Sequence, residues 1–147
     1  MRVLVDTSIL LRYVDSDDPK CTEVRRCISD FLRRGYELGM SPQAHREFWS
    51  VVTRPREQNG LGRSPNDAEE LINVLEIVFE FWDDMPGIAS TWRNIVISLE
   101  IKGVQVHDAN HAATAIAHGA THVLTLDLKD FDRYRKFGIT PLLPDGL

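Results

Sequence analysis

The chain has 147 residues, of which 43% are hydrophobic and 27% charged, and a net charge of −5. That length suits one domain, residues 1–147, which needs no disulfide or structural metal to fold, and the composition is that of an ordinary globular protein rather than a disordered or membrane one. The longest apolar runs are too short to cross a bilayer. Met1 leads directly into Arg2-Val3-Leu4-Val5, without the charged, apolar and small-residue regions of a secretory signal, so a cytoplasmic location is expected.

In chain order, Met1 to Val5 is an aliphatic run expected to form a buried strand ending at Asp6. A short helix from about Ser8 to Val14 and the loop Asp15-Ser16-Asp17-Asp18-Pro19 follow. Val24, Cys27, Ile28, Phe31 and Leu32 recur at helical spacing between Pro19 and Arg34, and Gly35 ends that run. Cys21 and Cys27, the only cysteines, are six positions apart within it, a spacing that does not aim them at each other; both read as reduced packing residues. Glu37 to Met40 is a second strand. Ser41 caps a helix that begins at Pro42 and stops before Pro55.

After the loop Asn59-Gly60-Leu61-Gly62, Ser64-Pro65 opens a helix made amphipathic by Leu71, Leu75, Val78 and Phe79. A further helix is expected from Ile88 to Lys102, and an alanine-rich one begun or capped by Asp108 runs to His118. His122 to Leu126 is a third strand running into Asp127, followed by a short helix near Asp130 to Lys136 and a last strand from Thr140 to Leu143. Strands alternating with helices predict an α/β fold, a central parallel β-sheet with helices on both faces.

The negative net charge is unevenly spread: residues 1–63 carry 11 Lys+Arg against 9 Asp+Glu, and residues 64–147 carry 6 against 13. Arginines such as Arg12, Arg46, Arg54, Arg56 and Arg63 therefore gather in the first half, which permits a phosphate-bearing substrate without requiring one.

In parallel sheets, ligands sit beyond the carboxyl ends of strands. Asp6 and Asp127 are both expected there, flanked by the hydroxyl residues Thr7, Ser8 and Thr125. Glu47 falls on the line of Ala44, Phe48 and Val51, the helix face that should meet the core, and a charge there needs a partner or a cation. Arg46 lies on another face and is a poor partner. Asp108 leads a face that continues through Ala112, Ala115 and Ile116, so it too leans inward. Four acids converging on one sheet edge repel one another unless a divalent cation intervenes, and all-oxygen ligation favours Mg²⁺ or Mn²⁺. Such an ion suits phosphodiester hydrolysis, with no choice between RNA and DNA. His107, Asp108 and His111 also suggest a histidine–aspartate metal site, but the helical phosphohydrolases that use one need further histidines that have no place here. Asp15, Asp17 and Asp18 read as a helix-capping loop, Asp130 as a water-mediated ligand or a helix-start acid, and Trp49, Trp82 and Trp92 as helix-borne core or interface residues.

Taken in order, Val5-Asp6-Thr7-Ser8-Ile9-Leu10, Glu47-Phe48 leading to Val52-Thr53-Arg54-Pro55-Arg56, Val106-His107-Asp108-Ala109 with Ala112-Ala113, and Thr125-Leu126-Asp127 before Asp130-Phe131 resemble a PIN domain, especially the VapC-type toxins of bacterial toxin–antitoxin pairs. The resemblance covers essentially the whole chain. It implies a Mg²⁺- or Mn²⁺-dependent endoribonuclease that leaves a 5′-phosphate and a 3′-hydroxyl, a homodimer, and a small antitoxin that blocks the acidic site. It also implies that Asp6, Glu47, Asp108 and Asp127 bind the metal, with Ser8 in support. Leu126 departs from the polar residue often found there in relatives, which leaves open whether Asp127 or Asp130 contributes more. A receiver-type signalling module would need an acid beside Asp6, where Thr7 stands. A haloacid-type phosphatase would need one at Ser8. A PIN fold kept only for RNA binding, or a housekeeping nuclease without a toxin role, is the alternative within the family.

Overall fold

A computed structural model of the chain describes residues 1–146. Five parallel strands form one sheet in the order β3-β2-β1-β4-β5: β1 (Arg2–Val5), β2 (Glu37–Met40), β3 (Glu80–Phe81), β4 (His122–Leu124) and β5 (Thr140–Leu142). The chain winds outward from β1 through β2 to β3, then returns to the other side of β1 for β4 and β5. The reversal lies between β1 and β4, so their carboxyl ends frame the crevice where a ligand is expected in such a sheet.

Successive residues of a strand face opposite sides, and here each side has its own core. Val3, Val5, Leu38, Met40 and Leu124 pack under α1 (Thr7–Val14), α2 (Cys21–Arg33), α3 (Pro42–Thr53) and α4 (Pro65–Val78). Leu4 and Val123 face α5 (Ile88–Ser98), α6 (Val106–Ala117) and the segment beginning with α7 (Leu128–Phe131), which contributes Phe131 and Tyr134. The small side chains Ala109, Ala112, Ala113 and Ala115 let α6 lie close to the sheet. Among the described residues, no helix is long and apolar enough to cross a membrane.

Local chemistry explains several boundaries. Ser41 accepts a hydrogen bond from the Ala44 amide at 3.0 Å with Pro42 opening α3, and Ser64 and Asp67 close a reciprocal capping box before α4. The Asp15–Asp18 loop, expected to cap a helix, instead braces its own turn, Asp15 accepting from the Asp17 amide at 3.1 Å and Asp18 from the Lys20 amide at 2.8 Å, while α2 begins after Lys20 without a side-chain cap. Cys21 and Cys27 are buried free thiols.

Several expectations are corrected. The helix expected to reach Lys102 ends at Ser98, because Leu99 leaves helical geometry and Glu100 adopts φ +52°. The third strand stops at Leu124 instead of continuing to Leu126. The dipeptide strand β3 is too short to leave a periodic signature, and Trp82 follows it rather than sitting on a helix. There Trp82 packs flat on the backbone of β2. A Cβ on Gly39 would lie 2.0 Å from the indole, which is why the strand carries glycine at that point.

Candidate functional site

Asp6 follows β1 and begins the turn into α1; its amide donates to the Leu124 carbonyl at 3.0 Å, which ties the ends of β1 and β4 together. Asp6 is 8% exposed, and the orientation of its side chain is fixed by two hydroxyls. Ser8 Oγ donates to Oδ2 at 2.7 Å and Thr125 Oγ1 donates to the same oxygen at 3.0 Å. Ser8 Oγ in turn accepts from the Leu126 amide at 3.2 Å, and Thr125 Oγ1 from the Asp127 amide at 3.0 Å. The hydroxyl residues anticipated around the strand ends thus clamp one carboxylate and leave Oδ1 facing the crevice.

Glu47 enters from α3. Ala44, Phe48 and Val52 form the buried face of that helix, whereas Val51 is half-buried, so Glu47 lies at the border of the core rather than in line with its centre. Its side chain is 34% exposed. Thr7 Oγ1 donates to Oε2 at 2.6 Å and Gln43 Nε2 to Oε1 at 2.7 Å. The charge expected to need a partner or a cation has a histidine beside it: His111 Nε2 lies 3.3 Å from Glu47 Oε2 and 3.8 Å from Asp6 Oδ1. Burial draws the Glu47 carboxyl upward, but the hydrogen bond and charge of His111, with the donors Thr7 and Gln43, outweigh it and hold the group at about 2. His111 is fully buried, which alone would lower its pKa; the hydrogen bond it donates to Glu47 and the charges of Asp6, Glu47 and Asp108 reverse that and raise it. Its Nδ1 is 3.3 Å from Ser41 Oγ.

His111 was set aside in the sequence because no further histidines accompany it. The spacing Asp108 to His111 is nonetheless one that puts two side chains on the same helix face, and that clue was available. Gln43 and Asn110 gave no such clue. Asn110 Nδ2 donates to Gln43 Oε1 at 2.7 Å, and the polar chain Asn110–Gln43–Glu47–His111 exists only once α3 and α6 are packed together.

Asp108 is not the cap of its helix. Gln105 precedes α6, and Asp108 occupies the first turn, half-buried, without a direct partner among the described residues. Burial and then the charge of Asp6 push its carboxyl up to about 6, with further contributions from Asp130 and Glu47 against the opposing effect of His111. Asp127 does not stand at a strand end: it is exposed, three residues past β4, and its side chain caps α7 by accepting from the Asp130 amide at 3.2 Å. Asp130 is the half-buried one of the two, and its charge reaches Asp108.

Among the described residues, the side chains whose ligand atoms converge are Asp6, Glu47 and His111, all within 4.8 Å of one another. Asp108 joins them through its electrostatic coupling to Asp6 and Glu47, while Asp127 is not brought into the group. Hard carboxylate oxygens locked by hydroxyl and amide donors, with Asp108 raised by burial and by the negative charge of Asp6 beside it, are a donor set that fits a divalent cation. A cavity of about 610 Å³ adjoins this cluster and is lined by Thr7, Gln43, Arg46, Glu47, Arg54 and His107, among others.

The chain shares its fold with solved structures of toxin–antitoxin proteins. It superposes on a chain of VapBC2 from Rickettsia felis, bound to a DNA fragment from its promoter, with a TM-score of 0.73 at 16% identity, covering 97% of this chain and 98% of that one. DNA-bound VapBC from Salmonella typhimurium gives a TM-score of 0.73 at 16% identity over 98% of each chain. Mycobacterium tuberculosis VapC20, a sarcin-ricin loop cleaving toxin, gives 0.57 at 17% identity over 82% of this chain and 86% of that one. No curated protein sequence matches the chain significantly. The profile of the PIN domain covers residues 3–137, and with the sheet order and the acidic crevice described above, the chain belongs to the PIN domain family.

Proposed function

We propose that this protein is a metal-dependent endoribonuclease, the VapC-type toxin of a toxin–antitoxin pair. The observation that carries the reading is the convergence of Asp6 and Glu47 at the crevice between β1 and β4, each carboxylate already oriented by two neutral donors. Asp6, Glu47 and Asp108 would hold Mg²⁺ or Mn²⁺, with Asp127 and Asp130 acting from the rim through water. When bound, the ion supplies Lewis acidity toward the phosphodiester and a more acidic water.

The chain's own residues orient and bind. Ser8 and Thr125 keep Asp6 Oδ1 toward the substrate, and Thr7 and Gln43 do the same for Glu47. Arg46 and Arg54, on the adjoining cavity wall, neutralise the flanking phosphates. Water attack on phosphorus with departure of the 3′-oxygen leaves a 5′-phosphate and a 3′-hydroxyl. The VapBC complexes whose fold the chain shares support a small antitoxin as partner; a homodimer as the working unit is part of the same proposal.

The test is cleavage of a mixed RNA pool by purified protein with Mg²⁺ or Mn²⁺, with EDTA, and by Asp6→Asn. Cutting that requires metal and disappears in the variant supports the assignment. Well-folded protein that binds metal and cuts no RNA, with or without a DNA substrate as alternative, overturns it.

A further inference from the structure

Next to the carboxylate cluster lies a second cavity, of about 470 Å³, between α3, α5 and α6. Ile88, Trp92 and Val106 form its apolar wall; Gln43, Asn110 and Arg46 form its polar edge. Gln43, Arg46 and His107 line this cavity and the one that holds Glu47, so the two share a wall.

Three features of that wall are already set for a ligand. The half-buried Trp92 has its indole N–H committed to the Val106 carbonyl at 2.8 Å, which fixes the ring and leaves only its π surface to offer. Asn110 and Gln43 hold one another through a 2.7 Å hydrogen bond, and Gln43 spends one further N–H on Glu47. An Asn has two donors and an acceptor, so the Asn110 carbonyl and a second N–H on each amide stay unused, a donor–acceptor edge held rigid from behind. Arg46, on the shared wall, is exposed and forms no ion pair among the described residues. Just past the end of the same helix, Arg54 Nε is shielded from solvent and meets no acceptor among the described residues.

We propose that this cavity receives one unpaired nucleobase adjoining the phosphate to be cut, stacked on Trp92 and read by Asn110 and Gln43. The inference rests on the nuclease reading of the neighbouring carboxylates and adds to it a position of base selectivity. The alternation favours nucleic acid as occupant: a free cation on the wall between an acidic crevice and an aromatic pocket matches phosphate followed by base. Asp84, on the cavity's lining, repels phosphate and so orients the strand with its backbone toward Arg46. Recognition of splayed bases by aromatic stacking and amide edges is the usual route to sequence preference in single-stranded RNA.

The experiment uses Asp6→Asn protein, which binds without cutting, labelled with 5-fluorotryptophan and titrated with A5, C5 or U5 RNA in Mg²⁺. The fluorine resonance of Trp92 is assigned by Trp92→Phe. The proposal expects that resonance to shift with RNA while that of buried Trp82 stays, and expects one of the three homopolymers to bind best. Ala89→Phe, at an exposed helix position on the cavity lining, is expected to weaken that RNA about tenfold and flatten the preference. In otherwise active protein, it should likewise flatten the base preference at the cut. RNA that binds or is cut without moving the Trp92 resonance, and with the same preference in Ala89→Phe, overturns the pocket and leaves the nuclease standing. A Trp92 resonance that responds to protein concentration or to a peptide partner but not to RNA overturns it in favour of a protein interface. Absence of both RNA binding and cleavage overturns the pocket together with the nuclease reading.

Discussion

His111 Nε2 lies 3.3 Å from Glu47 Oε2, joining a fully buried imidazole on α6 to a carboxylate on α3 across the crevice at the end of β1. Without metal, a protonated His111 is the only cation among the described residues in direct contact with the converging acids. His111→Leu is therefore expected to destabilise the metal-free protein by about 2 kcal/mol, a loss of roughly 4–8 °C in Tm, by leaving Glu47 unpaired. Adding Glu47→Gln should recover part of that loss. Thermal melts in EDTA check this, and equal instability of the single and double variants would refute the pairing.

Metal-free stability should peak in acidic solution. Glu47, held at about 2 instead of 4.5, contributes stability above pH 4.5 that is lost as pH falls toward 2. Asp108, raised to about 6 from 3.8, has no effect below pH 3.8; its penalty on the folded state grows from pH 3.8 and is complete above about pH 6. His111, raised from 6.5, stabilises below pH 6.5, and that contribution is lost as pH rises through its folded value. The expected optimum in EDTA lies at about pH 4, where the gain from Glu47 and the penalty from Asp108 balance, and stability declines from there toward about pH 6 and above. Mg²⁺ should raise Tm far more at pH 8 than at pH 5, and a Mg²⁺ effect independent of pH would contradict this account.

Asp127 and Asp130 are separable. Asp127→Ala removes the cap of α7 and should cost about 1 kcal/mol, while Asp127→Asn keeps a capping oxygen and should cost little. Asp130→Asn is expected to weaken Mg²⁺ binding more than Asp127→Asn, because the charge of Asp130 reaches Asp108. Calorimetric Mg²⁺ titration of the two variants decides the order; the reverse ranking would make Asp127 the main rim ligand.

Gly39→Ala should destabilise the protein by about 1–3 kcal/mol, since the new Cβ would stand 2.0 Å from an indole that is itself 2% exposed. The cost should shrink when Trp82 is changed to Leu, a non-additivity that chemical denaturation measures directly.

The two cysteines should be inert in the native state. Both are buried, and burial together with the charges of Asp30 and Glu23 pushes the Cys27 thiol up to about 11. A thiol reagent at pH 8 is expected to react only after denaturant is added.

Much of the fold was written into short-range pattern. The boundaries of β2 and of α3, with Ser41 as cap and Pro42 at the first position, follow from residue types acting on their immediate neighbours. The pairing of Asp6 with Ser8 is equally local, and the sequence alone determined that the chain carries several acids on elements of a parallel α/β sheet. What it could not determine was which of those acids meet. Glu47 and His111 are 64 residues apart, and Thr125 and Asp6 are 119 apart. Their contacts depend on α3, α6 and β4 packing around β1, an arrangement set by burial of both sheet faces and invisible to local periodicity. The same holds for β3, two residues long, whose existence rests on hydrogen bonds to β2 and on Trp82 lying against Gly39 rather than on any preference of Glu80 or Phe81. Helix and strand propensities act within a few residues, whereas a site built from facing elements takes its geometry, and its pKa values, from tertiary distances alone.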